Sequence, residues 1–337
     1  MLYHWGMFYT TWDWHVKSRF AGPAIEPAMQ LLSPWRLPLL FLISGVAVRF
    51  ALDKPDGGWA FARRRTWRLF LPLLFGVLVI VPPQSWLELL AKGETAEGFL
   101  GFYPDYIRGG FSIVTPTWNH LWYLAYILVY TVLVVPVAPW LRRVHVGRWA
   151  LGLPVVLAVY LAGIALLLEP RFPDTLALAD DWAVHARSLA WFLLGFIIAK
   201  EPSVWAAFHR LRWIALALAV GLGAVVWQDF DAGRGVVRQL FAVSTVVAVC
   251  GFARHALDRS SATLTRLGAA VFPVYIIHQT LIIVSGVALS RTGVPLVVEV
   301  AGIALATILG CWAFVWLGRR AGPLAPLFGL SVPRRAP

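Results

Sequence analysis

Hydrophobic positions in this chain fall in long uninterrupted runs, not in the alternation of a half-buried strand. Apolar stretches occupy about 29–50, 67–82, 118–140, 149–168, 184–199, 212–227, 236–252, 268–289 and 294–317. Each approaches the roughly 20 residues of helix that a bilayer core takes, and polar turns separate them. A further run opens the chain: residues 1–14 read as the second half of a spanning helix that ends near Trp12, Asp13 and Trp14. Its shortness, with no charged segment ahead of it, predicts a translation start upstream of Met1 and a first helix present only in part. The pattern predicts an all-α fold, a polytopic integral membrane helix bundle of about ten transmembrane helices with the first one partial, in a single domain over 1–337.

Composition agrees. Hydrophobic residues make up 59% of the chain and charged residues 14%, against about 45–50% and about 25% in soluble domains. Mean hydropathy is +0.71. The net charge of +12 raises nucleic acid as a partner, but arginines anchoring cytoplasmic loops explain it, so the partner expected is the lipid bilayer and no nucleic acid. Cys250 and Cys311 lie in apolar runs, which does not suggest a disulfide framework.

The segment 37–72 organises the rest. It carries Ser44 and Gly45 in an apolar run, crosses a polar turn, and ends in Arg63, Arg64, Arg65 and Arg68 at the mouth of the next run. If that turn is cytoplasmic, the alternate loops on its side hold 19 of the 29 basic residues, including Arg49, Lys54, Arg142, Arg143, Lys200, Arg254, Arg259, Arg319, Arg320, Arg334 and Arg335. The opposite loops hold 13 of the 17 acidic residues. This asymmetry predicts a cytoplasmic C-terminus. Arg142 and Arg143 are assigned to anchoring alone. The longest outer loop, about 83–116, carries aromatic and acidic residues that suit a hydroxyl-rich acceptor.

Three histidines are candidates for chemistry. His4 lies among apolar and aromatic neighbours, eight to ten residues from the outer interface by this reading, hence near mid-membrane. An intramembrane ionisable residue is a functional candidate, and a neutral imidazole accepts a proton. The alternative is a histidine bonded to a carbonyl or hydroxyl within the bundle. His278 sits at similar depth, with Tyr275 three residues before it on the same helix face. His120 starts its span at the outer side, where an interfacial role is the alternative. Arg65 and Arg68 are also three apart on one helix face, flanked by Arg64. Guanidinium pairs bind phosphate through forked hydrogen bonds, while simple anchoring needs no fixed spacing. Metal, P-loop, dinucleotide and nucleophile-elbow motifs are absent from the sequence, so no metal is expected.

The segments LYHWGMFY, WDWHVKS, LPLLFLISG, RRRTWRLFLPLLFG, VPPQSWLE, NHLWYL, VYIIHQT and RRAGPLAPLFGL, taken together and in order, resemble the acyltransferase-3 family of integral membrane O-acyltransferases, in particular its glucan biosynthesis protein C-like branch. The resemblance runs from end to end. It implies transfer of an acyl group, acetyl or succinyl, from cytoplasmic acyl-CoA to a hydroxyl of a periplasmic or cell-surface glycan, in the bacterial inner membrane. It implies that His4 is the catalytic residue of the first span, with Tyr275 and His278 in a late helix, and that Arg65 and Arg68, with Arg64, hold the coenzyme phosphates. His120, Trp122 and Glu88 are the candidates for the glycan acceptor. The family pattern also has an Arg ahead of the first-span His, where this chain has no residue. The rival reading is a transporter or flippase for a lipid-linked saccharide, which would more often show broken helices and inverted repeats; no repeat is evident.

Overall fold

The computed structural model describes residues 1–54, 57–228, 235–257 and 261–331. Among them every regular element is a helix: α1 (Leu2–Met7), α2 (Glu26–Leu52), α3 (Trp59–Phe75), α4 (Pro82–Lys92), α5 (Phe99–Arg108), α6 (Trp122–Leu141), α7 (Leu153–Leu167), α8 (Trp182–Ile198), α9 (Pro202–Gln228), α10 (Gly235–Ala256), α11 (Ala262–Ser290) and α12 (Leu296–Arg320). Seven helical runs among the described residues are long and apolar enough to cross a membrane, and α7 and α8 are shorter apolar helices. Each full-length span expected from the sequence has its helix, and the chain is a polytopic membrane helix bundle. Arg259, Arg334 and Arg335, counted above on the basic side, lie outside the described residues.

The chain packs as two compact units, one of Met1–Glu26, Trp67–Ala125 and Ser261–Pro337, the other of Pro27–Thr66 and Tyr126–Ser260. In the first, Phe8, Tyr9, Leu87, Ile282, Ile283 and Ile303 form a core that ties the N-terminal segment to α4, α11 and α12. In the second, α10 packs on α9 and α7, and Phe192 and Phe196 of α8 are fully buried. One end of this unit gathers Asp53 with Arg49 at 3.0 Å, Arg142 at 2.8 Å and Lys200 at 2.5 Å. The loops after α2, α6 and α8 therefore meet, and these are loops that the charge count placed on one side. Arg142 also donates to the Leu52 carbonyl at 3.0 Å, so it joins helix ends and is not an anchor alone.

Four expectations change. The first helix does not run to Trp12: α1 ends at Met7, where Lys17 Nζ and Thr10 Oγ1 both donate to the Met7 carbonyl and end the ladder with side-chain donors. The stretch 83–116 is not mainly loop. Pro82 and Pro83 occupy the first turn of α4, where a missing N–H costs nothing, so they start a helix instead of ending one, and α5 follows. The span expected at 67–82 is longer for the same reason, since helical backbone continues from Trp59 to Lys92. Likewise α9 starts at Pro202, well before the expected 212. Arg210 and Arg212 lie within it, with the Arg212 guanidinium 5.9 Å from the Trp213 ring and 5.9 Å from the Phe252 ring.

Candidate functional site

Between α3 and α4 the backbone forms one π-helical stretch, Gly76–Ile80, a widened turn in which the usual hydrogen-bond ladder is interrupted. Side chains from elsewhere in the unit bind its carbonyls. Tyr103 and Tyr106 of α5 donate to Leu78 and Val77, each at 2.8 Å, and Thr280 of α11 donates to Ile80 at 2.7 Å. Burial pushes the Tyr106 phenol up to about 12, which keeps it a donor. The widened turn is thereby held against the middle of α11, the helix that carries His278.

Around that point three imidazoles converge. Ring centroids lie 5.2 Å apart for His4 and His278, 5.3 Å for His120 and His278, and 6.2 Å for His4 and His120. Tyr3 and Trp14 border His4 at 5.6 and 6.5 Å. His120 and His278 are 5% and 3% exposed. Their tautomers follow from their partners, because a carbonyl oxygen only accepts. His278 Nδ1 faces the carbonyls of Tyr275 at 2.8 Å and Val274 at 3.2 Å, so it carries the proton and Nε2 keeps the lone pair. His120 Nε2 faces the Ile276 carbonyl at 3.0 Å, so it carries the proton and Nδ1 keeps the lone pair. No hydrogen-bond partner for His120 Nδ1 occurs among the described residues. In their neutral form these two buried imidazoles each present one bare basic nitrogen, and each ring is fixed by backbone.

A second, polar group adjoins them. His15 Nδ1 pairs with Glu88 Oε2, and Lys92 Nζ holds the other Glu88 oxygen at 2.7 Å. The Gln279 amide nitrogen lies 3.0 Å from His15 Nε2 and 3.0 Å from Gln84 Oε1. An amide nitrogen only donates, so His15 accepts at Nε2 and donates at Nδ1 to the carboxylate. Asn119 Nδ2 adds a second donor to Gln84 Oε1 at 3.1 Å, and Gln84 Nε2 donates to Thr280 at 2.6 Å. Gln84 is fully buried, Gln279 nearly so. The chain of donors and acceptors is consistent from Lys92 to the Ile80 carbonyl, which makes it a rigid polar band beside the histidines.

The structure thus brings together His4, His120, His278 and Tyr275, whose hydroxyl donates to the His120 carbonyl and so orients that histidine. Glu88 belongs to the His15 pair. Trp122 is half-buried at the first turn of α6. Arg64, Arg65 and Arg68 lie along α3, Arg64 and Arg68 exposed and Arg65 half-buried. From Arg68 to Ile80 is 12 residues, about 18 Å of helix. His4 is not placed by the depth of its own helix, which ends three residues later; it is placed by His278 near the middle of the 29-residue α11. Sequence reasoning missed His15, Gln84, Asn119 and Gln279. The legible signal was polar residues adjoining the named ones: Gln279 and Thr280 directly follow His278 inside an apolar span. Among the described residues no group of three or more His, Cys, Asp or Glu side chains is arranged to hold a metal ion.

Comparison with known proteins adds the rest. Proteins named glucans biosynthesis protein C from Salmonella typhimurium, Salmonella typhi and Salmonella agona are each 22% identical to this chain over 309 residues, spanning 84% of it and 79% of their own length. No solved structure matches it. The acyltransferase-3 family model, described as an acyltransferase domain, matches residues 1–316, a range that contains α1 with His4, the α3 arginines, the polar band and α11 with His278. A helix bundle with buried basic imidazoles and an end-to-end match of this kind make the chain a membrane acyltransferase of the acyltransferase-3 family.

Proposed function

We infer that the protein transfers an acyl group from acyl-CoA to a hydroxyl of a glycan, with donor and acceptor on opposite sides of the bacterial cytoplasmic membrane. The observation that carries the reading is the convergence of His4, His120 and His278 with two tautomers fixed. Arg65 and Arg68, with Arg64, bind the coenzyme phosphates by forked hydrogen bonds. The pantetheine arm then spans the roughly 18 Å of helix to the widened turn. The acceptor oxygen attacks the thioester carbonyl, its proton passes to an imidazole, and the C–S bond breaks as that proton is returned to the departing thiolate. His4 is the base in direct transfer, and in the two-step variant it carries the acyl group itself. His120, Trp122 and Glu88 with its His15 partner face the acceptor. Enclosure by apolar helices keeps water from the thioester.

Purified protein, radiolabelled acetyl- or succinyl-CoA and periplasmic glucans test this. Label should enter the glycan, and His4→Ala should abolish transfer while acyl-CoA binding persists. A positioned imidazole contributes about 10²–10⁴-fold; near-normal turnover in His4→Ala would move the chemistry to His278 or His120. Movement of a saccharide without consumption of acyl-CoA would replace the reading by transport. The orientation, with the α3 arginines and the C-terminus cytoplasmic, has its own test. A membrane-impermeant thiol reagent added to intact cells should spare Lys54→Cys and label Ala96→Cys, both exposed positions. The reverse pattern would invert the topology.

A further inference from the structure

The second unit contains a groove of about 740 Å³ along α2 and α10, with Trp205 of α9 in its wall, within the roughly 300–1,000 Å³ range of small-ligand sites. Leu39, Ile43 and Val46 of α2 share one helix face, as do Val249 and Ala253 of α10, with Leu257 just past its end. Apolar side chains therefore line its length. At one end the lining changes to Lys200, in the turn between α8 and α9, and Arg254, in the last turn of α10.

Among the described residues the charge at that end is positive on balance. Asp53 supplies one negative charge against Arg49, Arg142 and Lys200, a residue of two positive charges. Arg254 adds another; its Nη1 donates to the Pro202 carbonyl at 3.3 Å. Among the described residues no second carboxylate pairs with this cluster; Glu201, next to Lys200, is paired with His145 Nδ1 at 3.0 Å. The cations stand where α2, α8 and α10 end, at the depth at which apolar spans give way to polar turns. An apolar channel with a basic mouth at the membrane edge is complementary to an amphiphile with an anionic head group and a hydrocarbon tail. Arginine matches a phosphate diester by geometry as well as by charge.

We propose that this groove binds one anionic phospholipid, its phosphate at Lys200 and Arg254 and one acyl chain along Leu39, Ile43 and Val46. The site is separate from the histidine cluster in composition, and the proposal does not rest on the reading of the reaction. Lipid specificity resides in the cationic mouth, and affinity for any chain resides in the apolar walls.

Native mass spectrometry of the detergent-purified protein tests it, with palmitoyl-oleoyl phosphatidylglycerol or phosphatidylcholine added at equal concentration. The wild type should retain one phosphatidylglycerol under activation that strips phosphatidylcholine. Arg254→Gln, which touches no part of the Asp53 cluster, should weaken phosphatidylglycerol about fivefold and leave phosphatidylcholine unchanged; Lys200→Gln should do the same. Ala253→Trp, which fills the groove, should reduce retention of both lipids, with circular dichroism confirming that helix content is kept. Equal retention of the two lipids by the wild type would overturn the proposal. So would an unchanged preference in both glutamine variants, or displacement of the bound lipid by saturating acetyl-CoA, which would give the groove to the acyl donor.

Discussion

Where α2 crosses α8, the two backbones touch through a pair of glycines, and this contact yields a quantitative prediction. A Cβ added at Gly45 would lie 1.9 Å from the Phe192 carbonyl oxygen and 2.8 Å from the Phe196 nitrogen. One added at Gly195 would lie 2.0 Å from the Leu42 carbonyl oxygen. Ordinary contact begins at 3.4 Å, so each methyl falls short by about 1.5 Å, and in both cases the obstacle is backbone, which cannot rotate away. The helices must separate by a similar amount. Leu42, Phe192 and Phe196, at 1%, 0% and 0% exposure, would then lose close packing, and a gap of only 0.5–1 Å already forfeits about a quarter to a half of a contact's attraction. Gly45→Ala should therefore destabilise by about 3 kcal/mol, the upper part of the overpacking range. That corresponds to a fall of roughly 6 °C or more in Tm. Gly195→Ala should do likewise, and the double variant should cost clearly less than the sum, because one separation of the helices relieves both clashes. Gly163→Ala and Gly221→Ala, where an added Cβ meets nothing within 4 Å, should be neutral or slightly stabilising. Thermal melts in detergent followed by circular dichroism measure all five. A Tm for Gly45→Ala within about 1 °C of wild type, or strict additivity of the pair, would refute the close-crossing argument.

Glu88→Gln should cost about 1–3 kcal/mol, since one amide cannot accept from both His15 and Lys92 and a buried donor is left facing a donor; Tm checks this, and an unchanged Tm would mean the pair is not held as described. Asp53 has its carboxyl below the usual range: burial pushes it up, but hydrogen bonds from Lys200 and Arg49 and the charges of Arg49 and Arg142 outweigh that. A depressed folded-state value contributes stability above the ordinary value of 3.8 and loses it as pH falls through the lower folded value. The Tm difference between wild type and Asp53→Asn should thus be constant from neutral pH down to about 5 and close below about 3.8. Replacing Arg65 and Arg68 with Ala should weaken acyl-CoA binding by roughly tenfold or more per residue, whereas Arg143→Ala with Arg148→Ala, on the exposed turn after α6, should not; equal effects in a binding isotherm would reduce the α3 arginines to topology signals.

The all-helical class and the placement of the full-length apolar helices were legible because an apolar run of bilayer length is a local property, readable without knowing what the run touches. The same holds for the side-to-side bias of basic residues, and for the order of motifs that carries the family. Histidines at positions 4, 120 and 278 stood out because each is an ionisable group in apolar company. What the sequence could not decide was pairing across long separations. His15 and Glu88 lie 73 residues apart, and Ser18 and Glu299, joined at 2.6 Å, lie 281 apart; nothing in either segment marks the other. Helix limits at prolines were equally ambiguous, since Pro82 and Pro83 suit either the end of one helix or the first turn of the next. The chemical state of the site belongs wholly to the tertiary structure. Whether His278 is basic at Nε2, and His120 at Nδ1, depends on which backbone carbonyl each ring meets, and the Ile276 carbonyl reaches His120 only after α11 has packed beside it.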